Sequence, residues 1–229
     1  MRTIGVLGGL GPQATMDFEA RLHAEARRVL EPRMNQGYPP LITLYLRHPP
    51  VLLDDEGRAR QPLTLDPRVL DAAARLGSWA DLLAIPSNTP HLFLDEIAAA
   101  AGCEIVSIVD VTIEELQRRG CARAGLVGLG IPDVYRQRLG PEGIDLVTAP
   151  EAARARLDEA ILRLMEGREE EADRDAARAA VAAARDGGTE AVILGCTEIP
   201  LLLGEEADRP ELVNPAALLA RETVRRAVD

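Results

Sequence analysis

The chain has 229 residues, 47% of them apolar and 28% charged, with acidic groups outnumbering basic ones 37 to 26. That is enough chain for one large domain or two smaller ones with packed cores. Every basic residue is arginine and only 3% of residues are aromatic. A pyridoxal-phosphate Schiff base and a P-loop lysine are therefore both excluded. The acidic, aromatic-poor composition also lacks the positive footprint and stacking surfaces of a nucleic-acid binder.

Short strand-like runs alternate with longer segments of helical period, the pattern of parallel sheet covered by helices. Strands are expected at Thr3–Leu7, Leu41–Leu46, Leu82–Pro86, Ile105–Ile108, Ala124–Val127, Asp145–Val147, Ala191–Leu194 and Leu212–Val213. Helices are expected at about 13–30, 67–77, 90–101, 110–119, 132–138, 151–166, 169–186, 199–203 and 215–227. Pro12 and Pro132 stand where first helical turns would begin, and Asp66 precedes Pro67 as an N-cap. The Glu/Arg/Ala-rich run from Arg168 to Asp186 reads as a helix with a solvated face.

No linker divides the chain, yet its halves echo each other. Gly5-Val-Leu-Gly-Gly-Leu-Gly-Pro12 is matched by Gly125-Leu-Val-Gly-Leu-Gly-Ile-Pro132, and Leu83-Ala-Ile-Pro-Ser87-Asn-Thr89 by Val192-Ile-Leu-Gly-Cys196-Thr-Glu198. Both echoes follow strands, where open parallel sheets bind ligands against loops and helix N-termini. The expected fold is therefore α/β, with two pseudo-symmetric lobes of mainly parallel sheet flanked by helices. Residues 1–107 and 212–229 would form the first lobe and 108–211 the second. If the lobes face each other across a cleft, Ser87 and Cys196 approach one ligand from opposite sides.

Cys103, Cys121 and Cys196 form no C-x-x-C pair and have no histidine at zinc spacing, so neither a disulfide frame nor a metal site is expected. A reducing, cytoplasmic setting fits. No secretory leader pattern and no apolar run of membrane-spanning length occur, so neither export nor a membrane partner is expected. Cys196 follows a buried strand and precedes Thr197, Glu198 and a short helix whose dipole would favour the thiolate. Cys103 and Cys121 lack polar companions and read as packing residues. Ser87-Asn88-Thr89 are consecutive hydrogen-bonding side chains that suit either capping or binding. The Ser87–His91 spacing is reminiscent of a serine hydrolase, but the G-x-S-x-G elbow is missing. Gly9-Leu-Gly11-Pro-Gln-Ala14 satisfies the loose dinucleotide pattern G-x-G-x-x-A, yet the second strand ends in Leu46-Arg47-His48, with no acid for a ribose. A glycine turn that wraps a small carboxylate accounts for the same residues.

Three ordered motifs, Thr3-Ile-Gly-Val-Leu-Gly-Gly-Leu-Gly-Pro-Gln-Ala-Thr15, Ser87-Asn-Thr-Pro-His91 and Gly195-Cys-Thr-Glu198, make nearly the whole chain resemble the aspartate/glutamate racemase family. The resemblance implies two α/β lobes with the C-terminal helix returning to the first, no cofactor, a small-molecule carboxylate as substrate, and commonly a homodimer. It implies an isomerase in which two cysteines flank the substrate α-carbon, one removing its proton and the other donating. Cys196 matches one of them; Leu10, Gly11, Asn88, Thr89, Thr197 and Glu198 would bind substrate.

Three departures stand out. The other cysteine position is Ser87. A Pro-Asp-Arg often found after the second strand aligns, counting from Asn35-Gln36, with Pro50-Val51-Leu52. A binding lysine aligns near Met165, where Arg163 would substitute only if the helix were rotated. These departures point away from a second substrate carboxylate. The expected activity is racemisation or epimerisation of an amino acid. Decarboxylation or isomerisation of a less polar carboxylic acid at a single cysteine, and non-catalytic binding of a small carboxylate, are the alternatives.

Overall fold

The computed structural model describes residues 1–31, 34, 36–130 and 132–229. Asn35, from which the Pro-Asp-Arg alignment counts, and Ile131 of the second glycine motif lie outside the described residues. The chain divides into two compact units, Met1–Ile108 with Ala216–Asp229, and Val109–Pro215.

The first unit contains strands β1 (Ile4–Gly8), β2 (Leu41–Tyr45), β3 (Leu82–Ala84) and β4 (Glu104–Val106), all parallel in the order β2-β1-β3-β4. Helices α1 (Pro12–Val29), α2 (Pro67–Gly77) and α3 (Leu94–Ala101) cross between them. Leu7, Val69, Leu76, Leu83 and Ile97 are buried in one apolar core. Pro12 opens α1, where a missing N–H costs nothing, and the Asp66 carboxylate accepts from the Arg68 N–H at 2.9 Å to cap α2.

The second unit repeats the plan. Strands β5 (Arg123–Val127), β6 (Asp145–Thr148), β7 (Ala191–Leu194) and β8 (Leu212–Val213) are parallel in the order β6-β5-β7-β8. They are covered by α4 (Ile108–Arg118), α5 (Asp133–Leu139), α6 (Glu151–Met165), α7 (Glu171–Asp186) and α8 (Ile199–Leu203). Pro132 stands one residue earlier than expected, at the N-cap of α5. On α7 the buried stripe is Ala177, Ala180 and Ala184, while Arg178 and Arg185 pair outward with Glu206 and Glu211. The Arg168–Asp186 run thus turns a small-residue face to the core and a charged one to water.

The last helix, α9 (Pro215–Val228), returns to the first unit. The Arg2 N–H donates to the Ala227 carbonyl at 2.7 Å, and Arg2 and Arg226 both pair with Glu104. No helix among the described residues is long and apolar enough to cross a membrane.

In both sheets the chain leaves the first strand to one side and returns on the other, so the connections diverge beyond β1/β3 and β5/β7. That divergence marks where open α/β sheets hold ligands. The described residues of the motif segments in the sequence echo lead to those points.

Buried Glu115 on α4 receives Arg118 Nε at 2.8 Å, Arg118 Nη2 at 2.7 Å and Arg119 Nε at 2.8 Å. The Arg118 bonds, reinforced by Arg119 and opposed by burial, hold its carboxyl down at about 2. A lowered carboxyl stabilises the fold above its unfolded pKa of 4.5, and that contribution is lost as pH falls towards about 2. Glu115→Gln is expected to cost about 1–2 kcal/mol at neutral pH, discounted because Arg118 is largely exposed, and to flatten the acid limb of the stability curve between those values. Chemical denaturation at pH 7 and pH 3 reads both; an undiminished acid slope would assign it to other carboxylates.

Candidate active site

In the first unit, β1 runs into the turn Gly9-Leu10-Gly11 and then α1. Gly9 has φ +73°, and a Cβ there would meet the Tyr45 and Leu46 backbone at 2.8 Å, so only glycine fits. Thr15 clamps the turn from α1: its Oγ1 accepts from the Gly9 N–H at 2.9 Å and donates to the Gly11 carbonyl at 2.9 Å. Leu10 and Gly11 are held at the head of an 18-residue helix. Thr15 was not among the expected site residues, although it lies inside the first motif.

The neighbouring strand β3 delivers Ser87, Asn88 and Thr89 beside that turn. Asn88 is buried and stands at the N-cap of a short 3-10 segment, Thr89–Phe93, without a side-chain capping bond. Capping is therefore not what its amide does. His91 explains how Ser87 is held. Its Nε2 accepts from the Ile108 N–H at 3.2 Å at the start of α4, which leaves Nδ1 to donate to the Ser87 carbonyl at 2.9 Å. The contact is to the serine backbone, and both ring nitrogens are taken, so the Ser87–His91 spacing does not make a hydrolase pair.

In the second unit β7 ends at Gly195, whose N–H donates to the Val127 carbonyl at 2.7 Å. This registers the Cys196 turn against the glycine turn after β5. Cys196 Sγ donates to Glu198 Oε2 at 3.0 Å, and Thr197 Oγ1 lies 3.3 Å from the same oxygen. Backbone N–H groups of Glu198 and Leu129 also point at the sulfur. Asp158 Oδ1 accepts from the Gly130 N–H at 2.8 Å and steadies the glycine turn from α6.

The resting state of Cys196 differs from the sequence expectation. Burial, followed by the Glu198 carboxylate and its hydrogen bond, pushes the thiol well above its ordinary value, outweighing the two backbone donors that pull it down. Helix α8 has only five residues, so its dipole is small, whereas the carboxylate carries a full charge at 3.0 Å. Cys196 therefore rests as a thiol bonded to a carboxylate. Burial also raises Cys103 and Cys121, the latter buried with its thiol 3.4 Å from the Arg123 carbonyl.

The structure brings Leu10, Gly11, Ser87, Asn88 and Thr89 to one sheet edge, and Cys196, Thr197 and Glu198 to the equivalent edge of the other sheet. It removes Arg163 from the candidate cations. That side chain grips the fully buried Asp173 through Nε at 3.0 and 3.2 Å, because a carboxylate at 0% exposure needs a counter-charge. Asp173 in turn caps α7 by accepting from the Glu170 N–H at 2.9 Å. Leu52 lies in a hairpin arm, its N–H bonded to the Thr64 carbonyl at 2.9 Å beside the buried Val51–Leu65 bridge. No group of three or more His, Cys, Asp and Glu side chains suited to a metal ion occurs among the described residues.

Comparison with known proteins follows the same lines. A family model described as Asp/Glu/Hydantoin racemase matches residues 7–223. The chain is 26% identical over 119 residues to the broad specificity amino-acid racemase RacX of Bacillus subtilis, an alignment covering 49% of this chain and 48% of that protein, about half of each. An aspartate racemase homologue from Pyrococcus horikoshii superposes with a TM-score of 0.79 at 26% identity, and both chains are covered completely. The aspartate racemase of Picrophilus torridus superposes with a TM-score of 0.76 over 100% of this chain and 95% of its own, and at 18% identity that likeness shows the shared fold. Matched by that model from residue 7 to residue 223 and built on two parallel sheets, the chain belongs to the Asp/Glu/Hydantoin racemase family.

Proposed function

We propose that this protein is a cofactor-independent racemase or epimerase of an amino acid, with Cys196 as the acid/base at the α-carbon and Ser87 as the second proton-transfer group. Leu10, Gly11, Asn88, Thr89 and Thr197 bind the substrate, and Glu198 works through the thiol. The observation that carries the reading is the Cys196–Glu198 hydrogen bond, a thiol paired with a proton acceptor 3.0 Å away. Family membership supplies the reaction class.

The bond also sets the direction of proton flow. The resting pair holds one proton and one negative charge. Moving that proton from Sγ to Oε2 leaves a thiolate, which takes the α-proton; the pair then holds two protons and no charge. The electron pair of the broken C–H bond passes onto the substrate carboxylate, steadied by nearby donors. Donation from the singly protonated pair would instead leave two anions about 3 Å apart, repelling by roughly 5 kcal/mol at an effective dielectric of about 20. The singly protonated pair is thus a base, and the doubly protonated pair is the acid of the reverse direction.

Formation of the opposite enantiomer from a single pure amino acid, followed by chiral chromatography, tests the activity; optical purity retained across the common amino acids would refute it. Glu198→Gln tests the pair. Without the carboxylate the thiol pKa falls, so the pH midpoint for iodoacetamide alkylation of Cys196 is expected to move down. An alkylation midpoint that stays put or rises would show that Glu198 does not govern the thiol.

A further inference from the structure

The Cys196 turn carries information about the substrate side chain. Leu129, whose N–H points at Sγ, is 42% exposed in a chain that buries most large aliphatic residues. The next residue, Gly130, has φ +62°, and a Cβ there would meet nothing within 4 Å beyond its chain neighbours. The charged group that acts on the sulfur is anionic Glu198. Arg163 is spent on Asp173.

A second substrate carboxylate arriving beside Cys196 would meet a like charge on Glu198. A basic side chain fares little better, because Glu198 is only 4% exposed and its Oε2 already faces both Sγ and Thr197 Oγ1. An aliphatic group beside Leu129 loses no hydrogen bond and removes apolar surface from water. We propose that the substrate is a neutral amino acid with an aliphatic side chain and that Leu129 is the residue that selects it. The inference rests on the reading of Cys196 as the acid/base.

The test is α-proton exchange in D₂O, followed by proton NMR for L-leucine, L-alanine, L-aspartate and L-lysine with the wild-type chain and with Leu129→Ala. The expected result is a kcat/KM for leucine at least about tenfold above those for aspartate and lysine, with the leucine-to-alanine ratio falling about tenfold in the variant. Faster exchange of aspartate or lysine than leucine overturns the proposed substrate class while leaving the racemase reading intact. A leucine preference that Leu129→Ala does not change overturns the assignment to Leu129. No exchange with any of the four overturns this inference, and inversion of another amino acid in the chiral assay then leaves the racemase reading standing. Because Leu129 is exposed, the variant is expected to keep the wild-type circular dichroism spectrum.

Discussion

Cys196→Ala is expected to reduce turnover by about 10³-fold or more, to the level left by binding and orientation alone. The alanine removes the sulfur that donates to the Glu198 carboxylate at 3.0 Å, and with it the group proposed to take the α-proton. The fold should survive, since Cys196 is only partly buried against the core around Leu194 and Ile199. Cys103→Ala and Cys121→Ala serve as controls. Their thiols are also raised by burial, but Cys121 bonds to the backbone carbonyl of Arg123 and Cys103 packs against the first unit's core. Both variants should keep most of the activity. Loss of activity in either, with Cys196→Ala still active, would reassign the chemistry.

The second large effect runs upward. Ser87→Cys replaces a very weak acid by a thiol at the end of β3, and a group whose pKa lies nearer the working pH transfers protons faster. A gain of about 10²- to 10⁴-fold in racemisation is expected, read as kcat/KM in both directions. The backbone needs no change, because Ser87 is held by its own N–H, bonded to the Ile85 carbonyl at 2.8 Å, and by its carbonyl, bonded to His91 at 2.9 Å. Substituting sulfur for oxygen disturbs neither. An unchanged rate with intact fold would mean that the residue 87 side chain takes no part in proton transfer.

Much of this was legible in the sequence. All eight strands were expected within two residues of where they lie at either end, because alternating apolar runs bounded by Gly and Pro leave little else for a buried parallel sheet to be. The doubled sheet order was foreshadowed by the glycine and Ser/Cys echoes, which fall beyond the corresponding strands of each unit. The charge state of Cys196 was not legible: residue order shows a short helix after the cysteine, but not that the Glu198 side chain folds back onto the sulfur. Arg163 was equally hidden, since its partner Asp173 reads in sequence as one more acid in a charged run. His91 invited a nucleophile–base reading because spacing cannot distinguish a serine hydroxyl from a serine carbonyl. Thr15 and Leu129 carry backbone contacts that depend on turn geometry, and their only sequence signal was membership of the glycine motifs.

The central claim is that Cys196 moves a proton at the substrate's α-carbon. It is tested most directly by incubating one enantiomer in D₂O and following deuterium and optical purity together. The account predicts that the product enantiomer carries deuterium at the α-carbon from its first appearance, and that Cys196→Ala abolishes both signals. Release of carbon dioxide without inversion, or inversion that survives in Cys196→Ala, would contradict it.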